Sequence, residues 1–199
     1  MTHRGTLCFV ALALWADPLL GAAPVGNLVP LKGDMLDGSR LVLRAAGCSI
    51  DRPGADWKWI TYEGNAGQNY LCANSATGAL FLVAVGKLHG EFTDHQPQSL
   101  IDNARKAVTA RGGRLEHDKF EWLDLPGAKK CVRVSFHEVE KSGTKTMAVI
   151  YIAQTIGEVS LKQQYTGAGD TEPEAFKQMV RSLKMLPDSA APAPKDPGK

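Results

Sequence analysis

Between residues 130 and 166 the chain runs through three extended segments separated only by turns. Residues 130–139 (KCVRVSFHEV) alternate, with Val132, Val134 and Phe136 on one side and Arg133, Ser135 and His137 on the other. A turn at Ser142-Gly143 leads into 145–154, and Ile156-Gly157-Glu158 turns that segment back into 159–166. Strands joined this tightly can pair only antiparallel, because a parallel pair needs a crossover of a dozen or more residues. An antiparallel sheet is therefore built into this stretch. Earlier segments extend it. Residues 40–44 and 47–51 are short strands, the second closed by Arg52-Pro53-Gly54. Residues 57–62 alternate, with Trp57, Trp59 and Thr61 on one side and Lys58, Ile60 and Tyr62 on the other. Residues 63–68 are a Gly/Asn turn, and 70–74 and 79–87 form a hairpin around Ser75-Ala76-Thr77-Gly78. The second arm (ALFLVAVGK) is continuously apolar, as expected of a strand buried on both faces. Residues 114–125 are polar and extended, ending at Pro126-Gly127.

Two helices interrupt the strands. The first is capped by Thr93 or Asp94, carries Pro97 in its first turn, and ends at Gly112-Gly113. Leu100, Ile101, Ala104, Ala107 and Val108 form its apolar face. The second opens on the capping box Thr171-Glu172-Pro173-Glu174, with the stripe Phe176, Met179, Val180, Leu183 and Leu186, and stops at Pro187. The fold class is α+β: one domain over 40–186, an antiparallel sheet flanked by two amphipathic helices.

The ends are different in kind. Thr2-His3-Arg4, an apolar run over 7–16 (LCFVALALWA) and the small residues Gly21-Ala22-Ala23 have the order of a cleaved secretory signal over 1–23. The apolar run is about half the ~20 residues a spanning helix needs. Cys8 stands at the front of that run, without the small-residue box of a lipoprotein. The mature chain is expected in the periplasm or outside the cell, with no membrane span after signal removal. Residues 24–39 are an irregular lead-in, and 187–199 a Pro/Ala-rich disordered tail. Arg4 and Asp17 cancel within the signal, so the mature chain keeps the formal charge of +2. That is too near neutral for a nucleic-acid partner.

Four cysteines become three once the signal is cut: Cys48, Cys72 and Cys131. An odd count allows one internal disulfide at most, with Cys48–Cys72 as the favoured pair, in neighbouring extended segments. The alternative is three small buried hydrophobes.

The chemical candidates are sparse. His89-x-Glu91, and His117 between Glu116 and Asp118, offer nitrogen and oxygen donors to zinc or copper. No spacing among them is diagnostic, and ordinary surface polarity is the default. His137-Glu138-Val139-Glu140-Lys141 starts like a zinc-protease motif but ends in lysine, on a strand. Cys131 shares strand parity with Arg133 and His137, which could lower its thiol pKa; a structural cysteine is the simpler reading. Ser135 near His137 has no third partner for hydrolase chemistry. Trp57 and Trp59 share a face and could stack on a sugar or grip a peptide, with core packing as the default. Gly167-Ala168-Gly169 lacks the lysine of a phosphate loop and is read as a flexible loop.

The element order carries a family resemblance. Cys48-Ser49-Ile50-Asp51-Arg52-Pro53 followed by Trp57, the helix ending at Gly112-Gly113, the paired strands over 131–165, and Arg181-Ser182-Leu183 near the end of the last helix together resemble the PsbP-like fold. That group includes the photosystem II extrinsic protein and bacterial DcrB-like proteins. The resemblance implies an α/β/α sandwich over about 48–186 and a role as assembly factor, chaperone or docking subunit. It implies no catalytic residues and no cofactor. The absent lipid-attachment cysteine departs from the DcrB-like lipoproteins. The expectation is an exported, non-enzymatic binding protein acting on a protein partner in the cell envelope. The alternatives are a periplasmic carrier of a small ligand or metal and, third, an unrecognised hydrolase.

Overall fold

A seven-stranded antiparallel sheet forms the centre of the structure, a computed structural model that describes residues 35–62, 69–88 and 90–187. The expected signal, Gly/Asn turn and His89 lie outside the described residues, as do most of the lead-in and all but the first residue of the tail. The strands are β1 Met35–Asp37, β2 Arg40–Leu43, β3 Cys48–Asp51, β4 Trp57–Tyr62, β5 Asn69–Asn74, β6 Leu80–Lys87, β7 Arg114–Leu123, β8 Lys130–Val139, β9 Lys145–Gln154, β10 Val159–Ala168 and β11 Lys184–Met185. The helices are α1 His95–Ala110 and α2 Glu174–Arg181. The large sheet has the order β4-β5-β6-β10-β9-β8-β7. The hairpins read from the sequence supply the β5–β6, β8–β9 and β9–β10 pairings; β4 and β7 pair with β5 and β8 at the two edges, and the β10–β6 contact joins the two halves antiparallel.

A second, four-stranded sheet of order β1-β2-β3-β11 is the main departure from expectation. Part of the lead-in is therefore a strand, β1. The last helix stops at Arg181, and the chain then pairs β11 with β3. The Leu186 amide closes this sheet by donating to the Gly47 carbonyl at 2.8 Å.

Two apolar layers follow from the two faces of the large sheet. Val132, Val134, Phe136, Ala148, Ile150 and Ile152 pack with Leu100, Ile101 and Ala104 of α1. The opposite face packs Phe81, Val83, Met147, Val149 and Leu161 against Phe176, Met179 and Val180 of α2 and Leu41, Leu43 and Ile50 of the small sheet. Strand β8 is covered on both sides, so Ser135 and His137, on its polar face by alternation, are buried. The β6 face that carries Phe81 and Val83 is buried with Val85 packed partly against the same core, whereas on the other face Leu80 and Leu82 are half-buried and Ala84 is buried.

Of the two helix starts, the first falls at one of the expected cap residues and the second does not. At α1, Asp94 holds the N-cap position without a side-chain cap, and the Thr93 amide donates to Gln96 Oε1 at 2.8 Å. At α2, Pro173 takes the cap position in extended geometry, not Thr171. The reason is Glu172, whose side chain is drawn into the sheet. Gly167 belongs to β10, opposite Met147, not to a loop. A Cβ there would collide with the Tyr165 side chain.

Candidate functional site: two buried polar clusters and an open sheet face

A row of side chains crosses the large sheet in register: Glu121 on β7, Arg133 on β8, Tyr151 on β9 and Gln163 on β10. Facing residues share a side of the sheet, so these four can meet. Glu172, in the segment before α2, reaches down onto the row. Its Oε2 accepts from Arg133 Nε at 3.1 Å and lies 3.0 Å from Nη2. Its Oε1 accepts from the Tyr151 hydroxyl at 2.9 Å. Arg133 Nη1 donates to Glu121 Oε1 at 3.0 Å and to Ser135 Oγ at 3.2 Å. Burial, and then the adjoining Glu172 carboxylate, push the Tyr151 hydroxyl well above its usual pKa. This network ties the α2 layer to the sheet. Gln163 beside it is fully buried, and its amide has no hydrogen-bond partner among the described residues.

The second cluster sits at the far end of β8. A β-bulge interrupts the β7–β8 ladder between Glu116 and Lys119. His117 lies in this bulge with φ 53°, the only non-glycine residue at positive φ among the described residues. Such a bulge bends its strand and re-aims a side chain. It sets the exposed His117 ring edge-on to the buried His137 ring, with centroids 5.6 Å apart. His137 Nε2 lies 3.4 Å from Asp170 Oδ1, without hydrogen-bond alignment, and neither ring nitrogen has a hydrogen-bond partner among the described residues. Lys145 Nζ holds the same Asp170 oxygen at 2.7 Å. Burial, followed by the Lys145 charge, lowers the His137 pKa and favours the neutral ring.

The expected site residues fare unevenly. Glu91 is exposed, and its backbone carbonyl accepts from Gln96 Nε2 at 2.6 Å; the structure gives His117 a different neighbour, His137. Trp57 is core, stacked on Phe81 at 4.3 Å. Trp59 is half-buried against the same core, with its indole N–H on the Ser39 carbonyl at 3.2 Å. The pair therefore does not form an open aromatic platform. No disulfide joins Cys48 to Cys72. The two belong to different sheets, Cys48 opposite Leu43 and Met185, and Cys72 opposite Trp59 and Phe81. Burial pushes the Cys72 and Cys131 thiols up to about 12, so Arg133 and His137 do not activate Cys131. His137 and Glu138 alternate across a strand, and Glu138 pairs with Arg111 at 3.0 Å.

The third feature is a surface that periodicity did not single out. Ile60, Leu71, Leu82, Gln164, Ile150 and Val134 are consecutive in register across the sheet. They lie on the α1 side. Helix α1 packs mainly on β7 and β8, at one end of the row. There Val134 and Ile150 are buried; Leu82 and Leu71 are half-buried; Ile60, on the edge strand β4, is 48% exposed. The helix covers one half of the face, and among the described residues no helix covers the β4–β6 half.

No protein-family model matches the chain, and no curated protein matches it. Solved structures do. The solution structure of cyanobacterial PsbP (CyanoP) from Synechocystis is similar over 82% of this chain and 100% of its own, with a TM-score of 0.54 at 13% identity. The fold is PsbP-like. A crystal structure from Bacteroides thetaiotaomicron is similar over 77% of this chain at 15% identity, with a TM-score of 0.51. This chain spans 50% of that one. At such identities the likeness concerns the fold, so the clusters and the open face are properties of this PsbP-like chain's own residues. Among the described residues no helix is long and apolar enough to cross a membrane.

Proposed function

We propose that the protein is an exported, non-enzymatic binding or assembly factor that docks a protein partner in the cell envelope. The observation that carries this reading is the open half of the sheet face, where Ile60, Leu71 and Leu82 follow one another at an edge strand. Apolar side chains left in water at a sheet edge favour covering by another protein surface, and an edge strand adds unpaired backbone groups for it to meet. The PsbP-like fold agrees with a binding role. Export rests on the basic, apolar and small-residue order of residues 1–23.

The test compares the mature chain with its Ile60→Asp variant as bait for cross-linked capture from the host envelope. Ile60 is half exposed, so the variant should keep its circular dichroism spectrum and melting temperature. The expected result is one near-stoichiometric partner with the wild type and its loss with Ile60→Asp. Equal capture by both baits, or none by either, sinks the reading.

A further inference from the structure

We propose that His117 and His137, with Asp170 as third donor, form a binding site for one borderline divalent metal ion of the zinc or copper class. This is separate from partner docking, since these residues lie on the sheet face opposite Ile60.

Three independent observations meet here. First, His137 is 8% exposed, yet neither ring nitrogen has a hydrogen-bond partner among the described residues. A buried imidazole without partners forgoes hydrogen bonding that water would supply, and a metal ion is one group that satisfies such a nitrogen. Second, His117 is held at φ 53°, a conformation uncommon for a residue with a side chain, and the bulge that imposes it turns the ring towards His137. Third, the 5.6 Å centroid separation fits shared coordination. Two imidazoles bound to one zinc at ~2.1 Å, at a roughly tetrahedral angle, have ring centres about 5–6 Å apart.

Asp170 completes the donor set. Its carboxylate is 3.4 Å from His137 Nε2 and already binds a cation, the Lys145 ammonium, at 2.7 Å. The Asp170 side chain is 70% exposed, so it can turn from the ammonium to a metal without moving the core. An exposed ion pair of this kind is weak and does not oppose the exchange strongly. Among the described residues no three such side chains stand as a ready-made cage, so the ion must draw Asp170 in. His117 is exposed, which leaves the ion a path from solvent. Two neutral nitrogens and one carboxylate suit zinc or copper better than calcium or magnesium, which prefer all-oxygen shells.

The experiment titrates zinc chloride into the chelator-treated mature chain by isothermal calorimetry. Cobalt(II) absorption then reports the ligand field. The variants are His137→Gln, His117→Asn and Asp170→Asn, with His95→Asn as control. Asparagine tolerates positive φ, so His117→Asn removes the imidazole but keeps the bulge. The expected result is one equivalent of zinc, with affinity falling at least tenfold in His137→Gln and in His117→Asn, less in Asp170→Asn, and not at all in the control. Cobalt should give visible d–d bands that both histidine variants lose. Should His137→Gln fail to fold, His117→Asn alone carries the test. No one-to-one binding, or binding that neither histidine variant weakens, overturns the proposal.

Discussion

Replacing Glu172 by alanine tests how the second layer is fastened to the sheet. The Glu172 side chain is 4% exposed and that of Arg133 is 12% exposed, so both charges sit largely out of water. Three contacts converge on the carboxylate: Arg133 Nε at 3.1 Å, Arg133 Nη2 at 3.0 Å and the Tyr151 hydroxyl at 2.9 Å. Removing one partner of a buried pair strands the other, at a cost of about 3–5 kcal/mol. Glu121 still accepts from Arg133 at 3.0 Å, which places the expectation near ~3 kcal/mol. That is a large share of the roughly 5–15 kcal/mol that holds a domain folded. It corresponds to a melting temperature lower by about 6–12 °C for a chain of this size. Urea unfolding of wild type, Glu172→Ala and Glu121→Ala measures it. Glu121→Ala should cost under ~1 kcal/mol, because its side chain is 47% exposed. The double variant Arg133→Met/Glu172→Leu, which leaves no stranded charge, should be more stable than Glu172→Ala. A Glu172→Ala loss within ~1 kcal/mol of wild type, or one equal to that of Glu121→Ala, would mean that Glu172 does not fasten the second layer to the sheet.

Three further outcomes are expected. Cys72 and Cys131, pushed up to about 12 by burial, should resist alkylation at pH 8 in the native protein and react fully in denaturant; rapid native labelling would contradict their burial. His117→Gly should be more stable than His117→Ala by about 1 kcal/mol in urea unfolding, because glycine accepts the positive φ that alanine resists; equal stability would mean the bulge relaxes. The hydrogen bond from Arg40, 2.7 Å away, holds the Asp51 carboxyl below its ordinary 3.8, so its contribution is present above that value and lost as pH falls through the lower folded value. Stability measured from about pH 5 to below pH 3 should therefore drop less steeply in Asp51→Asn than in wild type, and parallel curves would remove Asp51 from the account.

Much of the fold is legible in the sequence because it is local. The hairpins over β8, β9 and β10 announce themselves by alternation and short turns, and α1 by its apolar stripe. The small sheet is not local. β11 has two residues, too few for any period, and it pairs with β3 from the other end of the domain. Alternation sets Arg133, Ser135 and His137 opposite the apolar face of β8, but their burial depends on groups distant in sequence, with Glu172 on Arg133 and Asp170 beside His137. Thr171 has the pattern of a cap, but the pull of Arg133 and Tyr151 on Glu172 shifts the helix start to Pro173. The His117–His137 pair depends on a bulge that no residue type marks; an Asn or Gly at 117 would have hinted at positive φ, whereas histidine does not. Ile60 alternates like any strand residue, and its exposure is decided by where α1 comes to rest.

The β4–β6 half of the sheet face is proposed to meet a protein partner. A photo-cross-linking amino acid placed at position 60, and separately at position 119 on the far edge strand, tests it most directly in the native envelope. One dominant adduct is expected from position 60 and none from position 119. No adduct from position 60, or the same adducts from both positions, would contradict it.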